Sequence, residues 1–158
     1  MAGENMNYKI AVCDDSDTDR QYFAGLAAQW AANTGKRVQT ALFSSAETFL
    51  FHYAEENDYD ILLLDIEMGA MDGVTMAKKL RQDNDTIQIV FITGYSDYIS
   101  EGYEVDALHY LMKPVKPEKL FSVLDRAAEK LSKNEKVLNL ELDGALLRLP
   151  VHQIRYAD

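Results

Sequence analysis

Short apolar runs alternate along this chain with longer stretches whose apolar residues recur at helical spacing. Tyr8–Cys13, Arg37–Phe43, Tyr59–Leu64, Ile87–Ile92 and Ala107–Met112 read as strands. Ile61, Leu62, Leu63 and Leu64 follow one another without a polar residue, the pattern of a central strand covered on both faces. Between the strands, Asp17–Asn33, Ala46–Tyr53, Gly73–Arg81 and Asp97–Glu104 read as helices, and a fifth is expected from Pro117 to about Lys133.

The boundaries carry their own signals. Ser44 with Glu47 three residues later has the capping-box pattern, in which each side chain satisfies an orphan amide of the other. Pro117 suits a first helical turn, where its missing amide costs nothing. Leu120, Leu124, Ala127, Ala128 and Leu131 form one apolar stripe on the last helix. Five β–α pairs in this order predict an α/β fold, a doubly wound five-stranded parallel sheet with helices on both faces. After Lys133-Asn134 the pattern becomes alternating, and Asp143-Gly144 marks an expected short β-hairpin extension.

Composition narrows the class. A hydrophobic fraction of 47% supplies a real core. The formal net charge of −10 argues against nucleic-acid binding by this chain, because such binding draws on Lys and Arg at phosphates. Cys13 is the only cysteine and sits in the apolar run Ile10-Ala11-Val12, so it reads as a small buried hydrophobe in a reducing, cytoplasmic setting. The opening MAGENMNYK has no apolar targeting segment, and no stretch approaches membrane-spanning length, so no membrane association is expected.

In doubly wound sheets ligands bind beyond the carboxyl ends of the strands. Asp14-Asp15 follows the first strand, Asp65 the third, Thr93-Gly94 the fourth and Lys113-Pro114 the fifth. Three carboxylates, a hydroxyl and an ammonium are thereby expected at one sheet edge. Crowded carboxylates repel and need a cation or a proton. Oxygen donors without a His or Cys cluster favour Mg²⁺ or Mn²⁺. Beside such an ion one carboxylate can attack a phosphoryl group, with metal and lysine neutralising the transferring oxygens. No strong base for activating water is evident, which suits a domain that accepts and holds a phosphoryl group.

The order Asp14-Asp15, Leu64-Asp65-Ile66-Glu67-Met68, Met71-Asp72-Gly73, Thr93-Gly94 and Tyr110-Leu111-Met112-Lys113-Pro114 resembles the receiver domains of two-component response regulators, over about residues 7 to 133. The resemblance implies a flavodoxin-like fold and a signalling switch rather than an enzyme. It implies Asp65 as phosphoacceptor, with Asp15 and Asp65 on the metal, Asp14 acting largely through water and the Glu67 main-chain carbonyl completing the ligands. It further implies Lys113 and Thr93 on the phosphoryl oxygens, Thr93 and Tyr110 as the paired switch positions, and a cis Lys113-Pro114 peptide. A sensor histidine kinase is the implied donor, and homodimerisation on phosphorylation the implied response.

Two positions depart from the family pattern. Gly69 stands where proline is usual, which predicts a more mobile loop. Glu67 is acidic at a variable position, close enough in sequence to influence the metal, Lys113 or an attacking water. Other readings remain open at this stage. Asp65 alone would pass for a strand-end cap, and Tyr110 for a core aromatic. Asp15, Asp17 and Asp19 imitate an EF-hand, but Arg20 and Leu26 occupy its glycine and glutamate positions, so Asp17 and Asp19 read as favouring the start of a helix. A metal-dependent phosphatase and an idle interaction module are the rival functions.

A second, looser resemblance concerns residues 95–111 and the tail. Tyr95-Ser96-Asp97-Tyr98, Glu104-Val105-Asp106-Ala107 and Tyr110-Leu111 are similar to receivers that precede a LytTR-type DNA-binding domain. Val137-Leu138-Asn139-Leu140, Gly144 and Gln153-Ile154-Arg155-Tyr156 resemble that domain's opening strands. Residues 134–158 are then expected to be a linker and the start of a truncated output domain, through which alone DNA would be bound. Tyr95, Tyr98, Ile99, Tyr103 and Val105, around the expected fourth helix, suit core or half-buried positions. In receivers, though, the surface of the fourth helix, fifth strand and fifth helix is the one altered by phosphorylation, where exposed aromatics would suit a partner.

Overall fold

The computed structural model describes residues 7–94 and 105–144, with the side chains of 135–144 excepted. Five strands, β1 (Asn7–Cys13), β2 (Arg37–Phe43), β3 (Ile61–Leu64), β4 (Gln88–Thr93) and β5 (His109–Met112), form one parallel sheet in the order β2-β1-β3-β4-β5. The helices are α1 (Asp17–Thr34), α2 (Ala46–Tyr53), α3 (Gly73–Arg81) and α4 (Pro117–Gly144). The expected helix Asp97–Glu104 falls outside the described residues.

Strand alternation divides the interior into two cores. Ile10, Val12, Ile61, Leu63, Val90, Ile92 and Leu111 face α1 and α4, where Phe23, Trp30, Leu120 and Leu124 meet them. Ala11, Cys13, Leu62, Leu64, Ile89 and Phe91 face α2 and α3, against Phe49, Tyr53, Met76 and Leu80. Every residue of β3 and β4 is buried, as a strand flanked on both faces requires. Edge strand β2 alternates instead between exposed and half-buried positions for most of its length. On the first face the Trp30 indole donates to Asp125 at 2.9 Å, and the Tyr22 hydroxyl donates to the Val115 carbonyl at 2.7 Å. Each ties α1 to the segment that follows β5.

Helix ends follow capping chemistry. Ser16 caps α1, accepting from the Asp19 amide at 3.2 Å, and Gly35 closes it in the left-handed region at φ +73°. Asp72 caps α3 by accepting from the Thr75 amide at 2.8 Å. The cap of α2 is Ser45, which accepts from the Thr48 amide at 3.1 Å, and not Ser44. The helix starts where expected, at Ala46, one residue too late for Ser44 to be the cap, so Ser45 reaches the amide instead. Strands β3 and β5 begin two residues later than the apolar pattern suggests, a shift common at element ends.

The C-terminal pattern misleads. Helix α4 begins at Pro117 as expected but continues past Lys133 to Gly144, through the Asp143-Gly144 pair expected to turn a hairpin. No proline or glycine interrupts residues 118–143, and Lys, Glu, Leu and Asn dominate after Lys130. Leu, Lys and Glu are good helix formers, so an alternating pattern this short can propagate a helix already nucleated upstream. Residues 145–158, including Gln153–Tyr156 of the tail motif, lie outside the described residues.

Gly73 is the glycine on which the site depends. Its amide donates to the Ile66 carbonyl at 2.8 Å, and a Cβ there would overlap the main-chain carbonyl oxygen of Asp65. Alanine is usually favoured over glycine in a helix by about 1 kcal/mol. Overlap with backbone costs more, so Gly73→Ala is expected to destabilise by about 1–3 kcal/mol. A urea titration checks this: the midpoint falls while the slope stays constant.

Candidate functional site

Parallel register delivers the polar residues to one place. Cys13 pairs with both Phe43 and Leu64, and Leu64 pairs with Phe91, so the residues following β1 and β3 emerge side by side. The Asp65 amide donates to the Cys13 carbonyl at 2.9 Å, and the Asp14 amide to the Phe43 carbonyl at 3.0 Å. Carboxylate oxygens of Asp14, Asp15 and Asp65 lie within 4.8 Å of one another. Asp14 and Asp65 are buried, while Asp15 is exposed.

Lys113 enters from the far side of the sheet. Its amide donates to the Thr93 carbonyl at 2.8 Å, and its peptide bond to Pro114 is cis. The ammonium lies 3.0 Å from Asp14 Oδ2, 2.8 Å from Asp19 Oδ2 and 3.6 Å from Asp65 Oδ2. The first two are hydrogen-bonded ion pairs; the third is beyond hydrogen-bond reach. Burial works to lower the Lys113 pKa, but the bonds to Asp19 and Asp14 and the charge of Asp65 outweigh it and leave it raised.

Asp65 is pushed up to about 6. Burial is the largest cause and the charge of Asp14 the next, opposed by Lys113 and by a hydrogen bond from the Glu67 main chain. Asp14 is supported differently: Oδ1 accepts from the Ser16 amide at 2.9 Å, and its carbonyl accepts from the Arg20 guanidinium at 2.8 Å. Arg20 also pairs with Asp17 at 3.1 Å. Cys13, one residue from this group, is buried, with its thiol raised to about 12 chiefly by burial. It is inert by position.

The two positions expected to act as a switch share a face. Thr93 and Phe91 lie two residues apart on β4, and Phe91 is in register with Tyr110 on β5. Thr93 is fully buried; Tyr110 is half-buried with its ring 6.3 Å from that of Phe91. Tyr110 thus packs on the second core, which accords with its reading as a core aromatic and leaves it beside Thr93's side of the sheet. Glu67 is exposed. Gly69 takes φ +46°, a backbone that proline, locked near −65°, cannot adopt. The glycine therefore suits the loop's path, where the proline usual at this position could not stand.

Two contributors escape the sequence reading. Asp19 reads as a helix-start carboxylate, and it does stand in the first turn of α1, yet its carboxylate also holds Lys113. Arg20 counts there only as evidence against calcium, whereas it braces the Asp14 backbone. A hint was present for both: the first turn of a helix that starts three residues after Asp14 must hang over the same sheet edge. Among the described residues, Asp14, Asp15 and Asp65 form the only cluster of this kind able to hold a metal ion. Their hard oxygen donors, two of them buried and mutually repelling, fit a magnesium-like cation. No described helix is long and apolar enough to cross a membrane.

Comparison with known proteins agrees with this geometry. Residues 10–125 match the response regulator receiver domain family. The chain is 30% identical over 133 residues to an uncharacterised response regulatory protein of Vibrio cholerae, covering 82% of this chain and 48% of that protein. It is 31% identical over 119 residues to the positive alginate biosynthesis regulatory protein of Pseudomonas aeruginosa, covering 75% and 46%. It thus spans about half the length of these curated relatives. Among solved structures, the receiver domain of AraT, a response regulator from Geobacillus stearothermophilus, superposes with a TM-score of 0.70 at 25% identity, covering 81% of this chain and 98% of that one. A five-stranded sheet whose strand ends gather these carboxylates and one lysine, matched over most of its length, places the chain in the response regulator receiver domain family.

Proposed function

We propose that this chain is a phosphorylation switch in which Asp65 accepts a phosphoryl group from a sensor histidine kinase in a Mg²⁺-dependent step. The observation that carries the reading is the buried Asp65 carboxylate, set beside Asp14 and Asp15 with the Lys113 ammonium 3.6 Å away. Asp14, Asp15, Asp65 and the Glu67 main-chain carbonyl would hold Mg²⁺ (or Mn²⁺). The ion would supply positive charge to the transferring oxygens. Asp65, deprotonated, provides the attacking oxygen, and Lys113 meets an oxygen of the arriving group. Thr93 would bond another, and Tyr110, diagonal to it on the same face, would respond. Among the described residues the groups beside Asp65 are carboxylates and the Lys113 ammonium, with no histidine to act as a strong base. The acyl phosphate would therefore be held rather than rapidly hydrolysed; this favours a switch over a phosphatase. The exposed Glu67 side chain would modulate the metal or the attacking water.

The output is proposed from the relatives. The alginate protein is by its name a positive regulator, and about half of it lies beyond the matched region. A transcriptional output through a LytTR-type DNA-binding domain suits that length, with residues 7–133 as the receiver and 134–158 as linker and start of the output domain. Since α4 runs to Gly144, the tail motif that still supports it is Gln153–Tyr156 rather than Val137–Leu140. Phosphorylation would favour homodimers through the surface around β5, and the setting would be the cytoplasm.

Incubation with Mg²⁺ and a small phosphodonor is expected to add one phosphoryl group by intact mass, and none to Asp65→Asn. Absence of any adduct on the wild type, with every donor tried, would return the idle-module reading. Size-exclusion chromatography with light scattering is expected to show a shift from monomer towards dimer when beryllofluoride and Mg²⁺ are added. Glu67→Ala is expected to change Mg²⁺ affinity or phosphoryl lifetime, both measurable on the same samples.

The raised Asp65 pKa gives a pH dependence with a definite sign. Its folded value, about 6, exceeds the ordinary 3.8, so the native state binds the extra proton between them. Stability from this group is present below about 3.8 and lost as pH rises through about 6. A rise of about two pK units corresponds to about 3 kcal/mol of destabilisation at pH 7 without metal. Asp65→Asn is therefore expected to unfold at higher urea than the wild type at pH 7 in EDTA. The gap should shrink on lowering the pH to about 4, and again on adding Mg²⁺ at pH 7.

A further inference from the structure

The lysine that the phosphoryl group needs is already engaged. Lys113 has its shortest ion pair, 2.8 Å, with Asp19 rather than with the acceptor, which lies at 3.6 Å. Asp19 is not one of the three carboxylates that could share a cation. A divalent ion at that cluster draws on the charges of Asp14 and Asp65 but leaves Asp19 to Lys113 alone. Its backbone is fixed, because its amide is bound by the cap Ser16 at 3.2 Å in the first turn of α1. The carboxylate therefore pulls the ammonium from a rigid point, away from the oxygen that will carry the phosphoryl group.

We propose that Asp19 is a positioning residue that holds the Lys113 ammonium in the resting protein and competes for it with the phosphoryl oxygens on Asp65. This rests on Asp65 being the phosphoacceptor. Phosphorylation then involves an exchange of counter-ions: Lys113 gives up or shares Asp19 when it takes a phosphoryl oxygen. The strength of the Asp19 bond sets how far the phosphorylated form is favoured. Asp19 is about one-third exposed and Lys113 about one-quarter, so water screens the pair and the bias it exerts is modest.

Asp17 supplies the control. It lies in the same helical turn with the same charge, but its carboxylate pairs with Arg20 at 3.1 Å. The experiment measures beryllofluoride affinity at saturating Mg²⁺ by fluorine NMR on the full chain, with Mg²⁺ affinity determined separately by calorimetry. Asp19→Asn is expected to tighten beryllofluoride binding about fivefold, the upper range for a partly exposed ion pair, and Asp17→Asn by less than about twofold. In a Lys113→Gln background Asp19→Asn should have no further effect. The proposal is overturned if Asp19→Asn weakens binding or leaves it unchanged, if it matches Asp17→Asn, or if its effect survives without the lysine. A wild-type chain that binds no beryllofluoride with Mg²⁺ present would instead remove the phosphoacceptor reading itself, and this proposal with it.

Discussion

Two carboxylates that water would keep apart are buried side by side at the ends of adjacent strands. Asp14 and Asp65 are both nearly inaccessible, and the charge of one helps to raise the pKa of the other. Isolated, such a pair would shed a charge by taking up a proton. Lys113 makes it tolerable. It crosses from the end of β5 to bond Asp14 and lie near Asp65, while Arg20 and the Ser16 amide fasten Asp14 from the other side. The group remains short of positive charge, since burial and the charge of Asp14 still hold Asp65 up at about 6. That deficit is what makes the place receptive to a cation.

The backbone imposes the crowding. Parallel register aligns Cys13 with Leu64 and Leu64 with Phe91, so whatever follows β1 and β3 must emerge together. The apolar stretches Ile10–Cys13, Ile61–Leu64 and Ile89–Ile92 hold the register, because a one-residue slip would exchange the two cores. Gly73 lets the start of α3 pass directly over the Asp65 carbonyl, a space no side chain could share. Hydrophobic packing on both faces thus offsets an electrostatic penalty concentrated at one edge.

Most of this was legible because it rests on repeating patterns. The consecutive Ile61–Leu64 run announced a central strand, and the positions of Asp14, Asp15, Asp65 and Lys113 relative to strand ends announced their convergence. What escaped reading depends on direction in space. Asp19 looked like a helix-start carboxylate, and nothing in linear spacing says that its side chain spans to a lysine 94 residues away. The tail failed for another reason. Val137–Leu142 alternates as a strand would, but period alone cannot decide against a helix already running into it from Pro117. Gly69 needed a dihedral angle before its glycine made sense.

The arrangement of β4 and β5 bears on how a local event at such a site could reach a surface. Thr93 closes β4 with its carbonyl bound to the Lys113 amide, so the hydroxyl position and the lysine share one hydrogen-bonded joint. Two residues back, Phe91 is in register with Tyr110 on the edge strand. Thr93 is therefore linked to β5 twice: through the joint to Lys113, and along the same sheet face to a half-buried ring at the margin of the core. Both end on β5, which has a neighbour strand on one side only among the described residues. A central strand, bonded on both sides, would resist such displacement; an edge strand has less to break. Asp65 sits at the end of the central strand, while Tyr110 and Lys113 sit in and just after the edge strand, where the sheet has fewer bonds to hold it.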